Sequence, residues 1–75
     1  MNITVTGTIQ RVNMGPGTWA LKSDEGKTYE IYQGAPSELL QIGQKVKIFG
    51  RVRDDVMTMA MIGPVLEVRV FEVAK

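Results

Sequence analysis

A two-residue alternation of apolar and polar side chains runs through most of this chain and dictates a β structure. Across residues 3–12, Ile3, Val5, Gly7 and Ile9 alternate with Thr4, Thr6, Thr8 and Gln10, the period at which successive side chains of a strand point to opposite faces. The β-branched residues suit such a half-buried pleated surface. The pattern stops at Asn13, Met14, Gly15, Pro16 and Gly17, a turn cluster, and a second strand starts at Thr18 with Trp19 and Leu21 on one side. Ser23, Asp24, Glu25 and Gly26 suit a tight hairpin connection. The chain then returns over residues 27–32, with Tyr29 and Ile31 on one face and Thr28, Glu30 and Tyr32 on the other. At 75 residues the chain makes a single domain, residues 1–75, around one compact core.

The alternation is interrupted once. Between Gly34 and Gly43 the residues Pro36, Ser37, Glu38, Leu39, Leu40 and Gln41 carry helix signals: proline for the first position, an acid in the first turn and glycine for the C-terminal cap. A short helix over residues 36–41 is expected. Period two resumes over residues 44–53, where Val46, Ile48, Gly50 and Val52 face one way and Lys45, Lys47, Phe49, Arg51 and Arg53 the other. After a turn at Asp54 and Asp55, residues 56–62 form an expected strand apolar on both faces, Met57, Met59 and Met61 against Val56, Ala60 and Ile62. Gly63 and Pro64 then mark a bulge or bend within one long last strand, or a break between two short ones. Residues 65–73 follow, with Leu66, Val68 and Val70 opposite Glu67, Arg69 and Phe71.

Glycines inside strands, at Gly7 and Gly50, let strongly curved strands bend in small closed barrels. The chain thus resembles the OB-fold, an all-β, five-stranded Greek-key barrel, here with one short helix between strands 3 and 4. The resemblance covers nearly the whole length. More narrowly, the runs VTGTI (5–9), WAL (19–21), YEI (29–31), GQKVKIFGRV (43–52) and MIGPVLEV (61–68) are similar to small stand-alone bacterial OB-fold proteins without an established activity. An SH3-like barrel is the main alternative, and it does not ordinarily carry a helix at that place.

The chain has neither cysteine nor histidine. That removes disulfides, thiolate sites, thiol nucleophiles, the usual general base and the commonest metal ligand. No catalytic residues, metal site or cofactor are assigned. Gly15, Gly17 and Ala20 fit a dinucleotide-binding fingerprint in spacing alone, because Trp19 and Leu21 continue at strand period where that motif needs a helix N-terminus. Gly26, Lys27 and Thr28 end like a phosphate-binding loop, but a strand follows them too. The acids Asp24, Glu25, Asp54 and Asp55 sit in turns, where solvation and local hydrogen bonds account for them. Asn2, Ile3 and Thr4 match a glycosylation sequon without a secretory context. The longest uncharged stretch, residues 56–66, is far short of the ~20 apolar residues of a membrane helix, so no membrane partner and a cytoplasmic location are expected.

What remains is binding. Nucleic-acid-binding OB-folds stack bases on the outward side of strands 2 and 3. The outward set here, Thr4, Thr6, Thr8, Ala20, Lys22, Thr28, Glu30 and Tyr32, offers only Tyr32 for stacking, provided no bulge near residues 15–17 or at Gly50 exchanges the faces. The positive signal is strand 4. Nine Lys+Arg against eight Asp+Glu give a net charge of only +1, yet Lys45, Lys47, Arg51 and Arg53 flank Phe49 on one face. Such a stripe can track the phosphates of single-stranded DNA or RNA while Phe49 stacks a base, with Lys22 and Tyr32 as neighbours and Arg11 or Arg69 as extensions. Charges that discourage edge pairing, or that pair with Glu67 and Glu72, explain the same residues. The second candidate is a protein-interaction or homo-oligomer surface of Met57, Met59, Met61 and Phe71, unless the methionines are covered by residues 36–41.

Overall fold

Five of the alternating stretches are strands in the computed structural model, which describes residues 2–13, 18–56 and 62–74. They are β1 (Asn2–Val12), β2 (Thr18–Ser23), β3 (Thr28–Ile31), β4 (Lys45–Arg53) and β5 (Val65–Val73). They form one closed, barrel-like sheet in the order β1-β2-β3-β5-β4, with β4 returning to β1. Every neighbouring pair is antiparallel except β3 and β5, which run parallel. The closure is uneven. The β3/β5 seam has two registered pairs, Glu30 with Val65 and Ile31 with Leu66, while β4 and β5 stay paired from Val46 with Val73 to Arg53 with Val65. This all-β arrangement is compatible with an OB-like fold.

Closure is possible because β1 serves two partners. Its first part, Asn2 to Thr8, pairs with β4, and its second, Gly7 to Val12, pairs with β2. Gly7 and Thr8 belong to both ladders, so the strand coils tightly there. A Cβ on Gly7 would lie 2.3 Å from the Lys22 carbonyl oxygen. Gly50 does the same for β4, where a Cβ would lie 2.2 Å from the Glu67 carbonyl oxygen.

The alternation fills the interior. Ile9, Leu21, Val46, Ile48 and Leu66 are fully buried, joined by Val5, Tyr29 and Ile31. Trp19 packs against this cluster at its margin, with the Arg11 guanidinium 5.1 Å from its ring centroid. The β2–β3 hairpin is closed by Ser23, whose amide donates to the Lys27 carbonyl at 2.8 Å and whose Oγ accepts the Lys27 amide at 3.0 Å.

The helix expected over residues 36–41 is not formed. The Leu39 and Leu40 amides donate three residues back, to Pro36 and Ser37, and the Gln41 amide bonds to Leu39, so the segment is a chain of tight turns. Two tertiary demands explain this. Leu39 is drawn fully into the core as a plug, and the carbonyls of Glu38 and Leu39 accept the Gln44 side-chain amide at 3.1 and 3.3 Å. The far end is tied to β1, with Gly43 donating to the Ile9 carbonyl and Ile9 donating to that of Gln44. Six residues offer too little cooperative helix to resist such anchors.

Residues 57–61, including Met57, Met59 and Met61, lie outside the described residues. Their flanks Val56 and Ile62 are not in a strand, and β5 begins after Gly63 and Pro64. Within β5 the register slips opposite Phe49 and Gly50: Phe49 pairs with Val70, Gly50 pairs with Val68, and Arg69 is the extra residue. That bulge exchanges the faces of the strand. Phe71 turns inward beside fully buried Ile48, and Val70 turns outward, 58% exposed. Phe71, expected as part of an alternative interaction surface, is thus partly buried against the core.

Two substitutions test this construction. Gly50→Ala should lower the unfolding free energy by about 2–3 kcal/mol, because the new methyl meets backbone that cannot yield without opening the bulge. Leu39→Ala should cost about 2–5 kcal/mol by emptying the plug. Urea unfolding midpoints at constant m-value measure both.

Candidate polyanion interface

The outer surface of β4 takes its residues from strict alternation. Val46, Ile48 and Gly50 point in, which leaves Lys45, Lys47, Phe49 and Arg51 exposed. Because the sheet is closed, β4 is paired on both sides, with β1 and β5. Its basic residues therefore do not guard an edge, and that explanation of the stripe is overturned.

The register with β1 sets a ladder of cross-strand neighbours. Thr8 lies between Lys45 on β4 and Lys22 on β2, Thr6 is opposite Lys47, Thr4 is opposite Phe49, and Asn2 is opposite Arg51. Lys22 thus lies beside the stripe, on a separate strand. The threonines are a part of the face that attention to charge alone passes over. The Lys47 ammonium lies 5.4 Å from the Phe49 ring centroid, so a cation and an aromatic ring are immediate neighbours. Phe49 is 36% exposed. On the β5 side it adjoins Val70, while Lys47 is opposite Glu72 and Arg51 opposite Glu67.

The basic residues are not equivalent. Lys45 Nζ contacts Asp24 Oδ1 at 2.7 Å, with both side chains about half exposed, an ion pair of the kind worth at most about 1 kcal/mol and readily exchanged for another anion. Lys47 and Arg51 form no salt bridge with a described carboxylate. Arg53 differs. Its Nε and Nη2 donate to the two Asp55 oxygens at 2.9 Å each, its Nη1 is 3.5 Å from Glu67 Oε1, and its guanidinium lies 5.3 Å from the Tyr32 ring centroid. With its side chain only 23% exposed, Arg53 fastens the ends of β3, β4 and β5 together. Of the two residues expected in the binding surface, Arg53 is therefore engaged with Asp55, Glu67 and the Tyr32 ring, and Tyr32 lies against Arg53. Arg11 stands over Trp19 at another part of the sheet, whereas Arg69, 61% exposed on its side chain, lies on the β4/β5 face and reaches Glu67 at 3.7 Å.

A shallow depression of about 520 Å³ opens beside Phe49, lined by Asn2, Ile3, Thr4, Phe49, Gly50 and Arg69. It lies at the irregular register of the β4/β5 ladder, between Phe49 and Gly50. On the outside of β2 and β3, by contrast, Ala20 and Glu30 face each other in register and are buried, Glu30 to 6%. Alternation had assigned them to an open outer face. The Gly63–Pro64 approach to β5 passes against this region: the Glu30 amide donates to the Pro64 carbonyl, and a Cβ on Gly63 would meet the Thr28 carbonyl oxygen at 2.2 Å.

Among the described residues, no three acidic side chains gather into a metal-holding group, and no helix is long and apolar enough to cross a membrane. Of the residues assigned to a protein-interaction surface, Phe71 packs inward and the three methionines are outside the described residues. Comparison with known protein families, with curated proteins and with solved structures finds no match.

The Arg53 clamp has a titration signature. Its side-chain hydrogen bonds hold the Asp55 carboxyl down to about 2 from 3.8, helped by Asp55's own backbone amide and by the nearby charges of Arg53 and Arg51, against a smaller opposing effect of burial. The Arg53 guanidinium is raised in turn, first by the hydrogen bond to Asp55. Because the carboxyl is depressed in the folded state, its contribution to stability is complete above pH 3.8 and disappears as pH falls through about 2. A carboxyl-carbon NMR titration should give Asp55 a midpoint near 2, and Arg53→Gln should return it toward 3.8.

Proposed function

We propose that this chain is a non-enzymatic binding module of the OB-fold type whose outer β4 face takes single-stranded nucleic acid or another polyanion. The observation that carries the reading is the run Lys47, Phe49, Arg51: two cations without a described carboxylate partner flank an exposed ring on one face. Lys45 and Lys22 extend it across Thr8. Spaced cations with an interposed aromatic are the parts from which single-strand sites are built, phosphates being met by charge and bases by stacking. The closed five-strand order with its parallel β3/β5 seam supports the OB assignment. The absence of histidine and cysteine supports binding over catalysis.

The surface differs from the one OB-folds generally use. Their ligands cross the outside of strands 2 and 3, and here Ala20 and Glu30 on that side are buried. The β4 face is open in its place.

Fluorescence anisotropy with labelled single-stranded DNA and RNA tests the reading. Four cations, Lys22, Lys45, Lys47 and Arg51, imply a log–log salt slope of about −3, or about a fifty-fold loss of affinity between 50 and 200 mM salt. Lys47→Glu with Arg51→Glu should reduce binding at least about tenfold at low salt, with an unchanged far-UV spectrum. An absence of binding at low salt overturns the proposal.

A further inference from the structure

We infer that the β4 face reads a nucleobase as well as phosphate, with one unstacked base seated in the depression beside Phe49, so that its ligand class is single-stranded nucleic acid and not polyanions at large. The inference rests on the polyanion reading above and deepens it. On this face Phe49 sits between cations, with Lys47 before it and Arg51 after it along β4. From Thr8 toward Asn2, the cross-strand partners on β4 are Lys45, Lys47, Phe49 and Arg51, in steps of about 7 Å along the strand. Cations alone need no ring, and a polyphosphate would leave Phe49 without a role.

The depression has features that a flat heterocycle requires. One wall is the exposed Phe49 ring, a platform for stacking. The depression adjoins the irregular register of the β4/β5 ladder, where Gly50 and the extra residue Arg69 both border it. Around it stand Asn2, which both donates and accepts, the Thr4 hydroxyl and the Arg69 guanidinium, all suited to base edges. Lys47, 5.4 Å from the ring centroid, is placed to meet the phosphate adjoining the stacked base. A duplex cannot use this arrangement, since its bases are already stacked inside the helix.

The test compares labelled oligothymidylate with an abasic oligonucleotide of the same length, which keeps every phosphate and removes every base. The intact chain should bind oligothymidylate at least about fivefold more tightly. Phe49→Leu, folded by its amide spectrum, should abolish that preference while leaving abasic binding unchanged, and Phe49→Tyr should keep it. Amide shifts at Asn2, Thr4 and Arg69 should move with oligothymidylate only. Equal affinity for the two ligands, or a preference that survives Phe49→Leu, overturns the base site and leaves the charge-based reading standing. Failure to bind either ligand at low salt overturns both.

Discussion

Closing five short strands into one sheet obliges β1 to hydrogen-bond to β4 at one end and β2 at the other. The rest of the structure follows from the coiling this imposes. Main chains meet at van der Waals limits where the strand turns, and Gly7 is the residue that admits the Lys22 carbonyl there. A comparable approach at Gly50 admits the Glu67 carbonyl and coincides with the one irregular register in the β4/β5 ladder. Closure also sorts most of the side chains. Every strand has an inside, filled by Ile9, Leu21, Val46, Ile48 and Leu66 with Leu39 as plug, and an outside on which charge can gather. A domain of this size buries a modest fraction of its surface, so a single plug residue such as Leu39 bears on the stability of the whole.

The same closure gives the basic face its character. On an open sheet, a row of lysines and arginines on a terminal strand would be explained by protection of its free hydrogen-bonding edge. Here β4 has neighbours on both sides, and its charges meet Thr4, Thr6, Thr8 and Lys22 on one flank and the β5 bulge on the other. Charge is then divided by local partners. Arg53 is spent on Asp55, Glu67 and Tyr32 at the seam where three strand ends converge, whereas Lys47 and Arg51, beside Phe49, form no salt bridge with a described carboxylate. A net charge of +1 hides this separation between a structural clamp and an open surface.

Much of this was legible in the residues. The period-two pattern located β1, β2, β3, β4 and β5 to within about a residue, and marked the core and the basic stripe, because burial on one face forces alternation whatever the tertiary partners. Three features were not legible. The turn segment around Leu39 carries good helix signals that are local, and the demands that defeat them, the core plug and the Gln44 amide, come from elsewhere in the chain. The bulge was foreseeable at Gly50, but a glycine on one strand does not say that the extra residue is Arg69 on the other, nor that Phe71 and Val70 exchange faces. The burial of Ala20 and Glu30 likewise depends on neighbours that alternation cannot supply.

The sequence by itself determined the class of structure and the chemistry open to it: short alternating strands with interior glycines, no histidine or cysteine, and cations concentrated on the fourth strand. Those properties reside in residue type and spacing, and they hold under any arrangement that buries one face. The tertiary structure alone decided which cations are free, which face is open and where the depression beside Phe49 lies. These depend on pairing between residues far apart in the chain, Arg53 with Glu67 and Phe49 with Val70 and Thr4, and a register is set only when the sheet closes.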